Sequence, residues 1–237
     1  MKIAQNIFLE KKILIYGLGK SGISSFKFLK DLAQIYLFDD NLKINKSFNQ
    51  KFINLSEITK IKVDIIIISP GINISNCKLS KFLKKNNSKI FTDLDVFYSF
   101  YNNKSITVTG TNGKSTTAKI LHDVLLDQKK DVRLVGNIGN PILNERKIKK
   151  ETIFVIEASS YQLDYSKIFT SKYAIILNIS PDHLERHKNL KSYVDAKLKL
   201  LKFQDKKSFA LVKKNDELIN KNLRLNKFNS EITKVDT

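Results

Sequence analysis

The chain has 237 residues, of which 42% are hydrophobic and 27% charged, and its single cysteine is Cys77. This length is large for one domain and small for two, and one cysteine excludes an intrachain disulfide. Apolar runs such as Ile65–Ile68 are far shorter than the ~20 residues of a membrane helix. The composition therefore predicts a soluble, cytoplasmic protein with no membrane partner.

A formal net charge of +19 raises the question of nucleic-acid binding. The lysines occur as scattered pairs, such as Lys84-Lys85 and Lys129-Lys130, without a long basic tract. No aromatic residues are set among them as stacking platforms. We therefore expect no nucleic-acid partner, and a surface that favours anionic substrates in general.

The first structural signal is a strand, a glycine loop and a helix near the N-terminus. The apolar run Lys12–Tyr16 leads into a loop with glycines at both ends (17–22), and a helical pattern and a second apolar run then end at Asp39 and Asp40. This is the Rossmann pattern, in which the helix N-terminus faces a pyrophosphate and the acid contacts a polar group of the ligand. It predicts a nucleotide site without naming the nucleotide. The alternative is that Asp39 or Asp40 caps a turn.

The next strand is predicted over 63–68 and leads into a loop that contains Gly71. Ligands of an open parallel sheet lie beyond the carboxyl ends of its strands, so this loop should lie beside the first glycine loop. Gly71 would allow a ligand to approach the backbone closely. A helix and a short strand within 78–91 complete a first predicted domain, residues 1–92.

A second glycine loop opens the second predicted domain, residues 93–237. It follows the predicted strand Ser105–Thr109 and consists of Gly110, Thr111, Asn112, Gly113, Lys114, Ser115 and Thr116. The glycines permit a tight turn with inward N–H groups, the lysine adds a positive charge and the serine can contact Mg²⁺. These parts suit a nucleoside triphosphate. The alternative is a glycine-rich turn with a solvated lysine.

Polar residues follow several strands predicted in the second domain. Glu157 ends a buried strand, where phosphate-loop proteins hold Mg²⁺. His183 follows another strand, and it could be a metal ligand, a base or an ordinary loop residue. Lys197 lies on a helical pattern over 193–201 and could equally be a surface lysine. The glycine loop around Asn137 is predicted to face the same edge of the sheet.

Taken together, the ordered motifs resemble those of the Mur ligases, ATP-dependent amide-forming enzymes of peptidoglycan precursor synthesis. Besides the phosphate loop they are Gly136-Asn137-Ile138-Gly139, Glu157-Ala158-Ser159-Ser160-Tyr161-Gln162-Leu163 and Asn178-Ile179-Ser180-Pro181-Asp182-His183-Leu184-Glu185-Arg186-His187. The resemblance covers nearly the whole chain. It implies an α/β fold, with a Rossmann-like parallel-sheet domain followed by an incomplete, mostly parallel, P-loop-type ATPase domain. It also implies the ligation of D-glutamate to UDP-N-acetylmuramoyl-L-alanine through an acyl phosphate.

The resemblance assigns roles to individual residues. The catalytic residues would be Lys114, Glu157, His183 and Lys197, and the loop 110–116 would bind ATP. Two Mg²⁺ ions would be held by Ser115, Glu157, His183 and, if it is carbamylated, Lys197. The UDP precursor would contact Ser21, Asp39, Asp40, Gly71, Asn137, Ser159 and Gln162.

The chain departs from the family pattern in two ways. Asn41 follows Asp40 where the family often has a Thr-Arg pair, and the missing arginine weakens the prediction of UDP binding. Family members also have a third domain that binds the incoming amino acid. We therefore expect this chain to be an N-terminal fragment, monomeric, and inactive alone because one reactant is not positioned.

Other functions stay open. The chain could be a catalytically silent nucleotide-binding module, or an NAD-dependent enzyme built on the first glycine loop. Another Mur ligase, or a relative of folylpolyglutamate synthase, is a further alternative.

Overall fold

The computed structural model describes residues 6–41, 52–58 and 60–236. The chain divides into two compact units. The first contains the described residues of Met1–Tyr101, Pro141–Glu145 and Tyr165–Lys167, and the second those of Asn102–Asn140, Arg146–Asp164 and Ile168–Thr237. The outer limits of the predicted domains, residues 1 and 237, lie outside the described residues, and the boundary between residues 92 and 93 stays a prediction.

The first unit contains a four-stranded parallel sheet. Its strands are β1 (Lys12–Tyr16), β2 (Gln34–Phe38), β3 (Ile65–Ile68) and β4 (Ile90–Phe91), in the spatial order β2-β1-β3-β4. Its helices are α1 (Lys20–Leu29), α2 (Leu55–Ile58), α3 (Ser80–Lys85) and α4 (Asp93–Phe100), with short 3-10 turns at Asn87–Lys89 and Ile142–Asn144.

The apolar strands explain this sheet. All four residues of β3 are buried, as are the last four of β1, which is the pattern of strands covered on both faces. Helix α4 begins with a capping box, in which Thr92 and Asp95 bond each other's backbone N–H groups. Because these strands are buried, the polar side chains that could contact a ligand lie in the loops at the carboxyl ends of the strands.

The second unit contains a six-stranded sheet in which every pairing is parallel. Its strands are β5 (Ser105–Thr109), β6 (Val132–Gly136), β7 (Ile153–Glu157), β8 (Tyr173–Ile176), β9 (Phe209–Lys213) and β10 (Glu231–Val235), in the order β10-β9-β8-β5-β7-β6. Its helices are α5 (Lys114–Asp127), α6 (Ser160–Tyr165), α7 (Leu184–His187), α8 (Leu190–Lys202) and α9 (Glu217–Leu225).

This topology gathers the motifs of the second unit. Because the strands are parallel neighbours, Thr109, Gly136, Glu157 and Ile176 end at the same edge of the sheet. A core cluster that includes the buried side chains of Val108, Val132 and Val155 holds the strands in register beneath them. The predicted α/β class is confirmed. None of the helices in the described ranges is both long and apolar enough to cross a membrane.

Candidate functional site

The phosphate loop between β5 and α5 depends on its two glycines. Gly110 and Gly113 have φ angles of 155° and 81°, which side-chain-bearing residues rarely adopt. Gly113 is the N-cap of the 14-residue helix α5, and no side chain of the described residues caps it. The first N–H groups of α5 therefore lack a side-chain cap and are suited to an anion.

The loop is held by an asparagine from the neighbouring strand connection. The Asn178 Oδ1 atom accepts the backbone N–H groups of Thr111 and Asn112 at 3.1 and 2.9 Å, and its Nδ2 donates to the Asn112 carbonyl at 3.1 Å. The Lys114 Nζ atom donates to the Thr111 carbonyl at 2.7 Å, so the ammonium group lies over its own loop. Thr116 is exposed in the first turn of α5. The phosphate loop is thus preordered.

Glu157 connects the loop to the end of β7. Its side chain is 1% exposed, and its two carboxylate oxygens accept the Ser115 hydroxyl at 2.7 Å and the Asn137 amide at 2.8 Å. The backbone makes this approach possible, because Gly136 has a φ of 105° and the Asn137 N–H donates to the Glu157 carbonyl at 2.9 Å. A buried carboxylate beside a hydroxyl is an oxygen donor set of the kind that Mg²⁺ prefers.

Lys197 lies beneath the same loop. It is 1% exposed, its Nζ donates to the Gly110 carbonyl at 2.6 Å, and the amine lies 4.6 Å from the centre of the Tyr193 ring. Burial, together with the nearby charge of Lys114, lowers the pKa of Lys197 to about 7. Lys197 is therefore no surface lysine.

His183 lies near this site but on the surface. It has a left-handed φ of 52°, its side chain is 45% exposed, and its Nε2 lies 3.4 Å from a carboxylate oxygen of Asp182. Its ring centre lies 5.0 Å from that of Tyr161. Among the described residues there is no group of three or more His, Cys, Asp or Glu side chains that could hold a metal ion. The four-residue metal set thus stays a prediction, and within it Ser115 donates a hydrogen bond to Glu157.

Ser159 and Gln162 pair with each other. The Gln162 Oε1 atom accepts from both the backbone N–H and the hydroxyl of Ser159 at 3.1 Å, and the Ser159 hydroxyl accepts the Gln162 N–H at 3.3 Å. This is a capping box at the start of α6. A helix-forming role accounts for both residues, and their contact with a precursor stays a prediction.

The glycine loop of the first unit is tightly closed. Gly17 has a φ of 89°, and a Cβ at Gly22 would lie 1.9 Å from the Gly17 carbonyl oxygen. The Ser69 hydroxyl donates to the same oxygen at 2.6 Å. Both oxygens of Asp39 accept backbone N–H groups, from Leu18 at 2.5 Å and from Asn41 at 2.7 Å.

The other predicted residues of this unit have varied surroundings. Asp40 accepts the Tyr16 hydroxyl at 2.8 Å, and Ser21 donates to Asp93. A Cβ at Gly71 would meet no atom within 4 Å, so the backbone is open to approach there. Asp39 thus caps the loop, as the alternative interpretation has it.

Comparison with known proteins decides the family. A model of the Mur ligase middle domain matches residues 108–236, more than half of the chain. The chain belongs to the Mur ligase family. This agrees with the resemblance noted in the sequence, and the match spans the phosphate loop, Glu157 and Lys197.

Two curated relatives can be compared with this chain over most of its sequence. The chain is similar to the UDP-N-acetylmuramoylalanine–D-glutamate ligase of Rickettsia bellii (strain RML369-C), with 38% identity over 213 residues that make up 87% of this chain and 46% of the relative. The enzyme of the same name from Rickettsia felis (strain ATCC VR-1525 / URRWXCal2) is 38% identical over 214 residues, 87% of this chain and 47% of the relative. The chain thus spans about half the length of these relatives.

A solved structure supports the fold. The UDP-N-acetylmuramate:L-alanyl-gamma-D-glutamyl-meso-diaminopimelate ligase (MPL) from Neisseria meningitides matches 95% of this chain and 78% of its own, with a TM-score of 0.59 and 13% identity. At that identity the comparison shows that this Mur ligase chain shares the fold.

Three residues of this part of the second unit were not predicted as site residues. Asn178 clamps the loop, Tyr193 places its hydroxyl 3.0 Å from the Thr111 hydroxyl, and His187 lies 3.0 Å from the Ser160 hydroxyl. His187 is 5% exposed, and burial lowers its pKa. Asn178 could have been found from its position two residues after β8, at the carboxyl edge of the sheet. The helical periodicity of 190–202 does not mark Tyr193 as a site residue, and His187 ends one of the quoted motifs without a role being assigned to it.

Proposed function

We propose that this chain forms the ATP-binding and precursor-binding part of a ligase that joins D-glutamate to UDP-N-acetylmuramoyl-L-alanine, in peptidoglycan precursor synthesis. Two relatives named for that ligation are 38% identical to it over most of its length. The single observation that carries the proposal is the contact of Ser115 with Glu157 at the mouth of the phosphate loop. We also expect the protein to act in the cytoplasm and as a monomer.

ATP would lie on the loop 110–116. The N–H groups at the start of α5 would face its phosphates, and Lys114 would exchange the Thr111 carbonyl for phosphate oxygens. Asn178 would keep the loop in its binding conformation, so that less ordering is needed when the nucleotide binds.

Magnesium would be held by Ser115 and Glu157, and a second ion by His183 and a carbamylated Lys197. When bound, the ions would neutralise charge between the anionic phosphate and carboxylate groups. The oxygen donors at Glu157 fit this role. The burial of Lys197 supports carbamylation, because a neutral amine is the form that adds CO₂, with loss of a proton.

The reaction would take two steps. A carboxylate oxygen of the precursor attacks the γ-phosphorus of ATP, and the bond to the β-phosphate oxygen breaks to release ADP. The amine of D-glutamate then attacks the acyl carbon, the C–O bond to phosphate breaks, and the amine loses a proton. Lys114 would stabilise charge on the transferred phosphoryl group, and the loop would keep it in line.

The UDP precursor would be bound by Ser21, Asp39, Asp40 and Gly71, with Asn137, Ser159 and Gln162 at its sugar-peptide end. Asp39 would act by shaping the glycine loop, since both its oxygens accept backbone N–H groups. The open backbone at Gly71 would allow the pyrophosphate to approach closely.

Binding measurements distinguish this proposal from an NAD-dependent enzyme. We expect calorimetry to show that the chain binds UDP-N-acetylmuramoyl-L-alanine more tightly than UDP, and that NADH neither displaces it nor changes fluorescence. Displacement of the precursor by NADH would overturn the proposal. Binding of Mg²⁺-ATP in the same experiment, at full occupancy of the precursor, would support two separate sites.

A further inference from the structure

The two acids at the end of β2 are engaged by protein donors. Both oxygens of Asp39 accept main-chain N–H groups, and Asp40 accepts the Tyr16 hydroxyl at 2.8 Å. Tyr16 is fully buried, and burial, followed by hydrogen bonds with Cys77 and Asp40, raises the pKa of its phenol. Its hydroxyl therefore stays protonated and acts as a donor. These acids support the loop and the strand, and as hydrogen-bond acceptors they cannot supply a donor to a keto oxygen of a nucleobase.

Lys78 is placed to supply a hydrogen-bond donor to a nucleobase. It is exposed, and its Nζ atom donates to the main-chain oxygen of Asp40 at 2.9 Å. β1 and β2 are parallel neighbours, and the Gly17 N–H donates to the Phe38 carbonyl at 2.9 Å, so Asp40 lies at the edge where the glycine loop begins. An ammonium group has three N–H donors, and the bond to Asp40 uses one. The side chain is thereby tethered at the ligand-binding edge of the sheet.

We propose that Lys78 is a specificity-determining residue of the first unit, which donates a hydrogen bond to the keto oxygen at C4 of a uracil base. This inference rests on the proposed function. In a Rossmann-type site the end of β2 faces the nucleoside and the helix N-terminus faces the phosphates, so a donor tethered to Asp40 lies at the nucleoside end.

The chemistry selects one class of base. Uracil presents two keto oxygens, which accept hydrogen bonds from an ammonium group. Cytosine has an amino group in place of one of them, and adenine has no keto oxygen. A donor that faces a donor costs affinity, so Lys78 would favour uridine nucleotides over cytidine and adenosine nucleotides.

The test is Lys78→Met in this chain, titrated with uridine, UMP and UDP by calorimetry and ligand-observed NMR. We expect affinity to fall about tenfold for all three ligands, because the lost bond is to the base that they share. The preference for UDP over CDP should fall by a similar factor. Lys78→Arg keeps a donor and should stay within about threefold of wild type. Lys81→Met, an equal charge change at an exposed lysine of α3, should bind as wild type does.

The outcomes separate the inference from the function on which it rests. Unchanged binding by Lys78→Met, or an equal loss in Lys81→Met, would overturn the inference alone. A loss that grows from uridine to UDP would place the amine on the phosphates and overturn it as well. A wild-type chain that binds none of the three ligands would overturn the proposed function, and the inference with it. Thermal unfolding of each variant establishes that it is folded.

Discussion

Buried charged residues around the phosphate loop each have a specific polar contact. Glu157 accepts two side-chain donors and Lys197 donates to a loop carbonyl, and both are 1% exposed. A charge removed from water is costly unless such contacts replace its hydration. These two residues are therefore maintained at an energetic cost, which is common at functional sites.

Asp131 is a carboxylate whose hydrogen bonds stabilise the fold, and its titration predicts how the free energy of unfolding depends on pH. It precedes β6, accepts the Thr152 hydroxyl at 2.5 Å and also accepts a hydrogen bond from Arg133. The Thr152 bond, and secondarily Arg133, holds the pKa of the Asp131 carboxyl below its ordinary value. Because the folded pKa is the lower one, this stabilisation is full above about pH 4 and is lost as pH falls through the folded pKa.

We therefore expect Asp131→Asn to lower the free energy of unfolding by about 1 kcal/mol at pH 7, and the difference from wild type to shrink in acid. Urea unfolding at pH 7 and near pH 3 measures both values. Asp31→Asn, at a side chain that is 83% exposed, is the control and should change neither. A deficit that persists unchanged in acid would contradict the assignment.

At the scale of elements, a glycine at the end of a strand allows two neighbouring strand ends to approach each other closely. Gly136 has a φ of 105°, and a Cβ there would lie 2.3 Å from the Glu157 carbonyl oxygen. The close approach of β6 to β7 at this point brings Asn137 to the carboxylate. The Glu157 cluster thus depends on the absence of a side chain at one position.

Gly136→Ala should consequently reduce the free energy of unfolding by about 1–3 kcal/mol and weaken Mg²⁺-dependent ATP binding. Gly71→Ala is the matched control for stability, because a Cβ there meets nothing within 4 Å and its φ is ordinary. Chemical unfolding compares the two variants. Equal stability of Gly136→Ala and wild type would show that the backbone there can relax.

Sequence patterns predicted these elements unevenly, for physical reasons. The strand Ser105–Thr109 and the start of α5 follow from an apolar run and a glycine loop, and both are confirmed. No element is predicted beyond residue 201, where the structure has β9, α9 and β10. β10 has one half-buried and four exposed residues, so its sequence carries no buried-strand pattern.

Site residues could be predicted where a polar side chain lies at or just after the end of a predicted strand. Ser115 and Glu157 were placed together by the rule that parallel strands present their carboxyl ends at one edge, and they are in contact. The clamp by Asn178 depends on side-chain direction, which periodicity does not specify. Ser159 and Gln162 likewise bond each other in a local turn, and these hydrogen bonds use side-chain oxygens of residues that were predicted to contact a ligand.

At the scale of the whole molecule, we propose a different nucleotide-binding role for each of the two units. The first has a four-stranded sheet with a closed glycine loop, and the second a six-stranded sheet with a phosphate loop, each with its own core. We propose that these units hold two nucleotide sites, with ATP bound in the second unit and the UDP part of the precursor in the first.

Calorimetry of Lys114→Ala tests that claim most directly. Lys114 belongs to the phosphate loop of the second unit, where its Nζ lies 2.7 Å from the Thr111 carbonyl oxygen. We predict that the variant loses measurable binding of Mg²⁺-ATP and binds UDP-N-acetylmuramoyl-L-alanine with wild-type affinity. Simultaneous loss of both ligands in a folded variant would contradict the account.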